Sequence, residues 1–131
     1  MAIEFEIRMH GEILEFEVSG EYCFQESIDK FPLVLQAVKV SSVNKCLIDF
    51  LSLPEAGGGT QQSLYAISIE RMYKEFLADG GQPLAIAYVG PPDKRYQPAI
   101  DHVENRDMPI KIFSTRDEAI EWLSEFSFED K

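Results

Sequence analysis

Three glycines followed by a threonine, at residues 57–60, form the first segment whose composition could bind a ligand. They precede a helical pattern, and the N-terminus of a helix offers free backbone N–H groups and a partial positive charge to an anion. Gly58, Gly59 and Thr60 could therefore hold a phosphate. A Walker-type phosphate loop has a lysine after its last glycine, whereas two glutamines follow Thr60 here. The alternative is a flexible loop in which Thr60 caps the helix.

A second candidate segment contains the adjacent basic residues Lys94 and Arg95, followed by Tyr96. It lies in loop 90–97, after one predicted strand, while loop 51–59 follows another. Open α/β sheets bind ligands beyond the carboxyl ends of their strands, so we expect the two loops to meet at one edge. Together they could hold a phosphate, a carboxylate or a lipid head group, with Tyr96 as a wall. The alternative is that both basic side chains are simply solvated.

The titratable side chains form no recognisable catalytic group. Asp49, in an apolar strand, is a candidate general base or ligand-contacting carboxylate; the alternative is a structural carboxylate that accepts hydrogen bonds from the following loop. His10 and His102 have no serine or cysteine nucleophile at an interpretable spacing, and two isolated histidines do not make a metal site. The sequence therefore predicts a protein that is not an enzyme and has no metal or other cofactor.

Charge and composition argue against several classes of partner. Twelve Lys and Arg residues against 23 Asp and Glu residues give a net charge of −11, which would repel nucleic acids and anionic membranes. No apolar run approaches the roughly 20 residues of a membrane-spanning helix, and no secretory signal is expected. Cys23 and Cys46 have no metal-ligand spacing and require no disulfide. We expect a cytoplasmic protein with one domain over 1–131, frayed from 124 onward.

Residues 3–18 alternate between apolar and charged side chains, as two antiparallel strands do. The apolar positions are odd-numbered in the first strand and even-numbered in the second, so the parity changes across His10-Gly11. A hairpin centred on that dipeptide sets Glu6 opposite Glu15 on the polar face. Like charges directly opposed cost about 0.2–1 kcal/mol per pair. This acidic face is therefore expected to be open to water, with a cationic partner as the alternative.

The rest of the chain alternates between strand and helix patterns. Almost continuous apolar runs predict buried parallel strands at 46–51 and 84–90, and a further strand is predicted at 110–113. Helices are predicted at 29–40, 60–79, 98–108 and after a Thr115–Glu118 capping box. The order ββαβαβαβα predicts an α/β fold: a mixed sheet with an N-terminal antiparallel hairpin, central parallel strands and about four helices.

Four stretches of the sequence together resemble the STAS domain, a family that includes bacterial anti-sigma factor antagonists and cytoplasmic domains of sulphate transporters. They are GEILEFEVSGEY, KCLIDF, PLAIAYVG and KIFSTRDEAIEWL, and the similarity extends from about Glu12 to Leu123. The chain looks most like the STAS-like proteins of bacteria, a group related in fold to lipid-binding domains. The resemblance implies a STAS-like fold and a regulatory role.

The resemblance also implies a place for a phosphorylation switch. Switch-type members carry a phosphorylatable serine in an Asp-Ser-Ser-Gly-like segment after the strand that corresponds to 46–51. Asp49 matches the aspartate of that segment, whereas Phe50 and Leu51 occupy the serine positions. Ser52 is the nearest hydroxyl group and is the candidate phosphorylation site.

Two function hypotheses remain. The first is a non-enzymatic STAS-like module that binds another protein or forms a homodimer, and its acidic charge would favour a basic patch on the partner through steering. The alternative is a carrier or sensor of a lipid-like or phosphate-bearing ligand, held between loops 51–59 and 90–97. An apolar pocket under Phe50 and Tyr96 would support that alternative.

Overall fold

Five strands form one mixed sheet in the part of the chain that the computed structural model describes, residues 3–20, 24–50, 59–90 and 109–126. The strands are β1 (Ile3–His10), β2 (Ile13–Gly20), β3 (Lys45–Asp49), β4 (Ala85–Val89) and β5 (Ile110–Phe113). The described helices are α1 (Phe24–Asp29), α2 (Phe31–Ser41), α3 (Gly59–Ala78) and α4 (Arg116–Glu125).

The strand order in the sheet follows the chain, β1-β2-β3-β4-β5. β1 and β2 are antiparallel, and each later strand is parallel to its neighbour. The predicted fold class, an α/β fold with an N-terminal hairpin and central parallel strands, is confirmed. The predicted helix at 98–108 lies outside the described residues.

The turn of the N-terminal hairpin differs from the predicted one. Gly11 and Glu12 join the strands, and His10 pairs with Ile13, so the turn is not centred on His10-Gly11. Gly11 has a φ of +62°. A two-residue hairpin turn requires such a conformation at its first position, and glycine adopts it without strain. The glycine therefore fixes the turn one residue later than the change of parity suggested.

This shift changes which charges meet on the polar face of the hairpin. Glu15 lies opposite Arg8 and Glu6 lies opposite Glu17, so the predicted Glu6–Glu15 pair is wrong. The expected exposure of this face is also wrong for Glu15, which is only 2% exposed. The apolar side chains still share one face, because a register shift of two residues preserves the alternation.

Helices α2 and α3 cover one face of the sheet, and α1 packs against both helices. The core on this side is made by alternate residues of the strands and by the inner faces of the two helices. Its buried members include Phe16, Phe31, Ile69, Tyr73, Leu84 and Ile86. The predicted helix 29–40 corresponds to α2, with Pro32 in its first turn. α1 was not predicted, because six residues are too few to show a helical repeat.

Helix α4 covers the opposite face of the sheet. Its buried residues Ala119 and Leu123 belong to a second core together with Leu47 and Val89 of the central strands. Trp122, the single tryptophan of the chain, lies with its ring centroid 5.8 Å from that of Phe113. The domain therefore has three layers, with the sheet between α4 and the other described helices.

The start of α4 confirms the predicted cap. The Thr115 side chain accepts a hydrogen bond from the backbone N–H of Glu118 at 3.3 Å. Thr115 itself has an extended backbone conformation, as expected for the residue before a helix. The cap thus fixes the point at which the chain leaves β5 and turns onto the second face.

Glycines lie at both ends of α3. Gly80, with a φ of +95°, ends the helix as predicted, and the N–H of Gly81 donates to the carbonyl of Phe76 at 2.8 Å. This is the usual closure of a helix on a left-handed glycine. At the other end the helix begins at Gly59. Thr60 therefore lies within the first turn, and its prediction as the N-cap residue is wrong because the helix extends one residue further into the glycine run.

Candidate functional site

Most of the ligand-binding residues predicted from the sequence lie outside the described residues. These are Gly58, Lys94, Arg95 and Tyr96, together with the phosphorylation candidate Ser52 and the histidine His102. Three predicted residues are described: Asp49 at the end of β3, and Gly59 and Thr60 in the first turn of α3. The described part of the predicted site is therefore the carboxyl end of the central strands.

Three aromatic rings pack where β3 and β4 end beneath α3. Phe50 stacks on Tyr88, with ring centroids 5.7 Å apart and planes inclined by 6°. Tyr65 of α3 meets Phe50 edge-on at 6.4 Å and Tyr88 at 6.0 Å. Such pairs stabilise by about 0.5–1.5 kcal/mol beyond the burial of their area. Phe50, Tyr65 and Tyr88 thus form a packed layer at the carboxyl ends of β3 and β4, which we call the aromatic floor.

The polar atoms of this floor are the two tyrosine hydroxyls. Their oxygens lie 3.2 Å apart. Burial raises the pKa of Tyr88 well above its usual value, because the phenolate form would lose its hydration. Tyr88 therefore stays protonated at neutral pH and can exchange a hydrogen bond with Tyr65, but it cannot serve as a base.

Asp49 lies on the other side of the sheet from the aromatic floor. Successive residues of a strand face opposite sides, so Asp49 and the following Phe50 point in different directions. Asp49 is 9% exposed and aligns with Glu17 of β2. The hydrogen bond with Glu15 is the main cause of the raised pKa of Arg116, and the charge of Asp49 raises it further. Asp49 therefore neighbours an ionic network under α4.

Glu15 is the centre of this network. Its two carboxylate oxygens accept hydrogen bonds from Nε and Nη2 of Arg116, each at 2.7 Å. This two-pronged contact is the strongest geometry between a guanidinium and a carboxylate. Arg8 approaches from β1, with its Nη2 atom 3.6 Å from Glu15 and 3.0 Å from Glu17. The network therefore ties β1, β2 and α4 together.

The charges in the network hold one another in their ionised forms. The hydrogen bond from Arg116 lowers the pKa of Glu15 below its ordinary value of 4.5, although burial acts in the opposite direction. The same contact raises the pKa of Arg116. The hydrogen bond with Glu17 raises the pKa of Arg8. Because none of these groups changes its charge near neutral pH, the network is suited to fixing α4 on the sheet and not to proton transfer.

Sequence reasoning missed the contact between Glu15 and Arg116, which are 101 positions apart. One signal could have found it. Arg116 is the first residue of α4, where the helix dipole disfavours a positive charge. The acidic residues Asp117 and Glu118 beside it follow the normal preference. A cation at this position indicates a specific carboxylate partner elsewhere in the fold.

The outer face of α3 carries a group of exposed apolar side chains. Leu64 and Ile67 are 47% and 41% exposed, and residues three or four apart share one face of a helix. An open depression of about 400 Å³ continues from Ile67 along the helix. It is lined by Ile67, Glu70, Arg71, Lys74, Glu75 and Ala78, and Lys74 forms an ion pair with Glu70 at 2.9 Å. We call Leu64, Ile67 and this lining the α3 surface.

The described residues show no catalytic arrangement. No group of three His, Cys, Asp or Glu side chains among them could hold a metal ion. Cys46 is fully buried, and burial raises the pKa of its thiol, which keeps it unreactive. None of the helices in the described ranges is long and apolar enough to cross a membrane.

Comparison with solved structures identifies the fold, although no family model and no curated protein matches the sequence. An anti-sigma factor antagonist from Mycobacterium paratuberculosis is similar with a TM-score of 0.64 and 16% identity, over 95% of this chain and 96% of that one. The chain has a STAS-like fold. SpoIIAA, an anti-sigma factor antagonist solved in its unphosphorylated form, is similar with a TM-score of 0.51 and 16% identity, over 95% and 99% of the two chains.

A further STAS-like neighbour is an uncharacterized protein of the DUF3478 family from Shewanella loihica, described as having a SpoIIAA-like fold. Its TM-score is 0.51 at 21% identity, and the match covers 93% of each chain. The resemblance that the sequence suggested is thus confirmed at the level of the fold.

Proposed function

We propose that this STAS-like domain is a non-enzymatic regulatory module of the bacterial cytoplasm that binds another protein through the α3 surface. The supporting observation is the pair of exposed aliphatic side chains, Leu64 and Ile67, beside charged residues of both signs. Protein interfaces commonly combine an apolar centre with a polar rim. Two structural neighbours are named as antagonists of anti-sigma factors, which is consistent with a regulatory role.

The order of the strands also favours a protein partner over a small ligand. Open α/β sheets bind ligands in the crevice where the strand order reverses. The parallel strands described here follow one another without reversal. The stacked rings of Phe50 and Tyr88 fill the space under the carboxyl ends of β3 and β4. The α3 surface is therefore better suited to binding than this edge is.

The net charge of −11 should act on the rate of association more than on affinity. Long-range attraction accelerates the encounter with a partner of opposite sign, and salt screens it. The proposal therefore includes a partner with a basic surface around its contact site. Its association rate should fall as the salt concentration rises.

The α3 surface can be tested by affinity purification of the tagged protein from its own host. Ile67→Glu places a charge in the apolar centre and should abolish recovery of the partner. The matched control is Val40→Glu on α2, where the valine is 73% exposed; it should retain the partner. Equal urea midpoints would show that both variants are folded. Recovery that is unchanged in Ile67→Glu, or the absence of any specific partner, would refute the proposal.

A second candidate function, a carrier or sensor of a lipid-like or phosphate-bearing ligand, is favoured by one observation. Tyr65 is half-buried and places its hydroxyl beside that of Tyr88 at the edge where loops 51–59 and 90–97 begin. Native mass spectrometry of protein purified from its own host would test this function. A small molecule released on denaturation would support it, and a bare chain would count against it.

A further inference from the structure

β1 is an edge strand that exposes apolar side chains. Ile7 and Met9 are each 52% exposed, whereas Phe16 and Leu14, which face them on β2, are 0% and 4% exposed. Within the described ranges, β1 pairs on one side only, with β2. An edge strand of this kind is a template for pairing with another strand.

The N–H and C=O groups on the outer edge of β1 belong to its odd-numbered residues. In a two-residue hairpin turn the carbonyl before the turn accepts from the N–H after it, so His10 and Ile13 are a hydrogen-bonded pair. Hydrogen-bonded and non-bonded pairs then alternate along the ladder. The even-numbered residues of β1 therefore bond to β2. The odd-numbered residues, Ile7 among them, turn their backbone groups away from the sheet.

We propose that two copies of this chain pair through β1, antiparallel and related by a two-fold axis that passes between their Ile7 residues. In this register Glu6 lies opposite the partner's Arg8, and Glu4 lies opposite the partner's His10. In the same register Phe5 lies opposite the partner's Met9, so apolar positions also face apolar positions. The strand sequence EFEIRMH is thus complementary to its own reverse in both charge and hydrophobicity, and the two sheets join into one.

The neighbouring registers lack this complementarity. Two-fold pairing requires residues of the same backbone orientation to face each other, so the axis must pass between the two copies of one residue, and the nearest alternatives move it by a single residue. An axis at Arg8 places two guanidinium groups directly opposite each other, and an axis at Glu6 places two carboxylates opposite each other. Like charges in these positions are destabilising. The register centred on Ile7 is therefore selected by the charges.

The contacts within one copy are compatible with this pairing. Arg8 is bound to Glu6 at 3.1 Å and to Glu17 at 3.0 Å, but a guanidinium has five N–H donors and can accept a further carboxylate neighbour. Two copies, each with a charge of −11, repel each other at long range. Salt screens that repulsion over about 10 Å at 0.1 M ionic strength. The dimer should therefore strengthen between very low and moderate salt.

The mass in solution tests the dimer. Sedimentation or light scattering of the full chain should give a mass twice that of one chain, which is 14.9 kDa. Ile7→Lys removes the apolar contact between the two Ile7 side chains and sets two ammonium groups opposite each other, so it should raise the dimer Kd about tenfold or more. Val40→Lys, at a site that is 73% exposed on α2, should leave the dimer unchanged. Tryptophan fluorescence and the urea midpoint verify that each variant is folded.

Disulfide crosslinking tests the register. In a Cys23→Ser background, with Cys46 buried, Ile7→Cys should crosslink because directly opposed Cα atoms lie about 5.5 Å apart, within disulfide range. Met9→Cys is the matched control, because Ile7 and Met9 are equally exposed. The two copies of residue 9 would be offset by about 14 Å along the strands, too far for a disulfide.

A monomer at every concentration would overturn the proposal. So would a dimer that Ile7→Lys does not weaken, or crosslinking of Met9→Cys as fast as that of Ile7→Cys. The experiment uses the pure chain alone, and the α3 surface lies on a different element. Failure of the β1 pairing would therefore leave the proposed partner-binding function untouched.

Discussion

Removing the Arg116 guanidinium should destabilise the fold, because Glu15 loses its closest ion-pair partner. Arg116→Met retains much of the apolar stem of the side chain, so the loss reports mainly on the charged contact. Glu15, at 2% exposure, would keep the contact with Arg8 at 3.6 Å. Breaking a fully buried ion pair costs about 3–5 kcal/mol. Because Arg116 is 39% exposed and Arg8 remains, we expect the free energy of unfolding to fall by about 2–3 kcal/mol.

Urea unfolding followed by tryptophan fluorescence measures this change directly, because Trp122 lies in α4 and packs on Phe113. Arg71→Met, at an exposed position of α3, is the matched control and should change stability by less than about 0.5 kcal/mol. Glu15→Gln should cost less than Arg116→Met, about 1–2 kcal/mol, because the partly exposed guanidinium can return to water. If Arg116→Met behaves like the control, the network does not hold α4 on the sheet.

The pH dependence of this contribution has a definite sign. The pKa of Glu15 is lower in the folded chain than its ordinary value of 4.5, because of the hydrogen bond from Arg116. The ionised carboxylate therefore stabilises the fold fully above about pH 4.5, and this stabilisation is lost as the pH falls through the lowered value. The stability difference between the wild type and Glu15→Gln should be constant near neutrality and shrink in acid. A difference that grows in acid would contradict the assignment.

Three further changes test other parts of the fold. Gly80→Ala should cost about 1–2 kcal/mol, because alanine is strained at positive φ; an unchanged urea midpoint would refute the left-handed helix end. Thr115→Ala should cost about 1 kcal/mol through loss of the α4 cap, and Thr115→Ser should restore most of it; equal losses in both variants would rule out the cap. In a Cys23→Ser variant, Cys46 should react with a thiol reagent only after unfolding, and rapid reaction of the folded protein would contradict its burial.

The local patterns of the sequence were sufficient for most of the architecture. Alternation predicted the two strands of the hairpin, and continuous apolar runs predicted β3 and β4, because central parallel strands are covered on both faces. Thr115 and Gly80 marked the helix ends correctly, since a cap and a left-handed glycine depend on neighbouring residues alone. Each of these predictions relies on interactions within a few positions of the chain.

The errors came from features that depend on turn geometry or on distant residues. The change of parity located the hairpin only to within a residue, and the positive φ of Gly11 decided the turn. Glu15 looked solvent-facing because nothing near it in sequence shows that α4 covers that side of the sheet. Its partner Arg116 is 101 positions away. Pairings over such distances follow from the topology and are not visible in a short window.

The position of α4 in the chain also affects the order of events during synthesis. The hairpin and the central strands emerge from the ribosome before α4, which is the last described element. Until it emerges, Leu47, Ala87 and Val89 lack the contacts with α4, and Glu15 still lacks Arg116. At about 5–20 residues per second, this state lasts for seconds. A chaperone that binds newly made chains would therefore meet this protein at the face that α4 later closes.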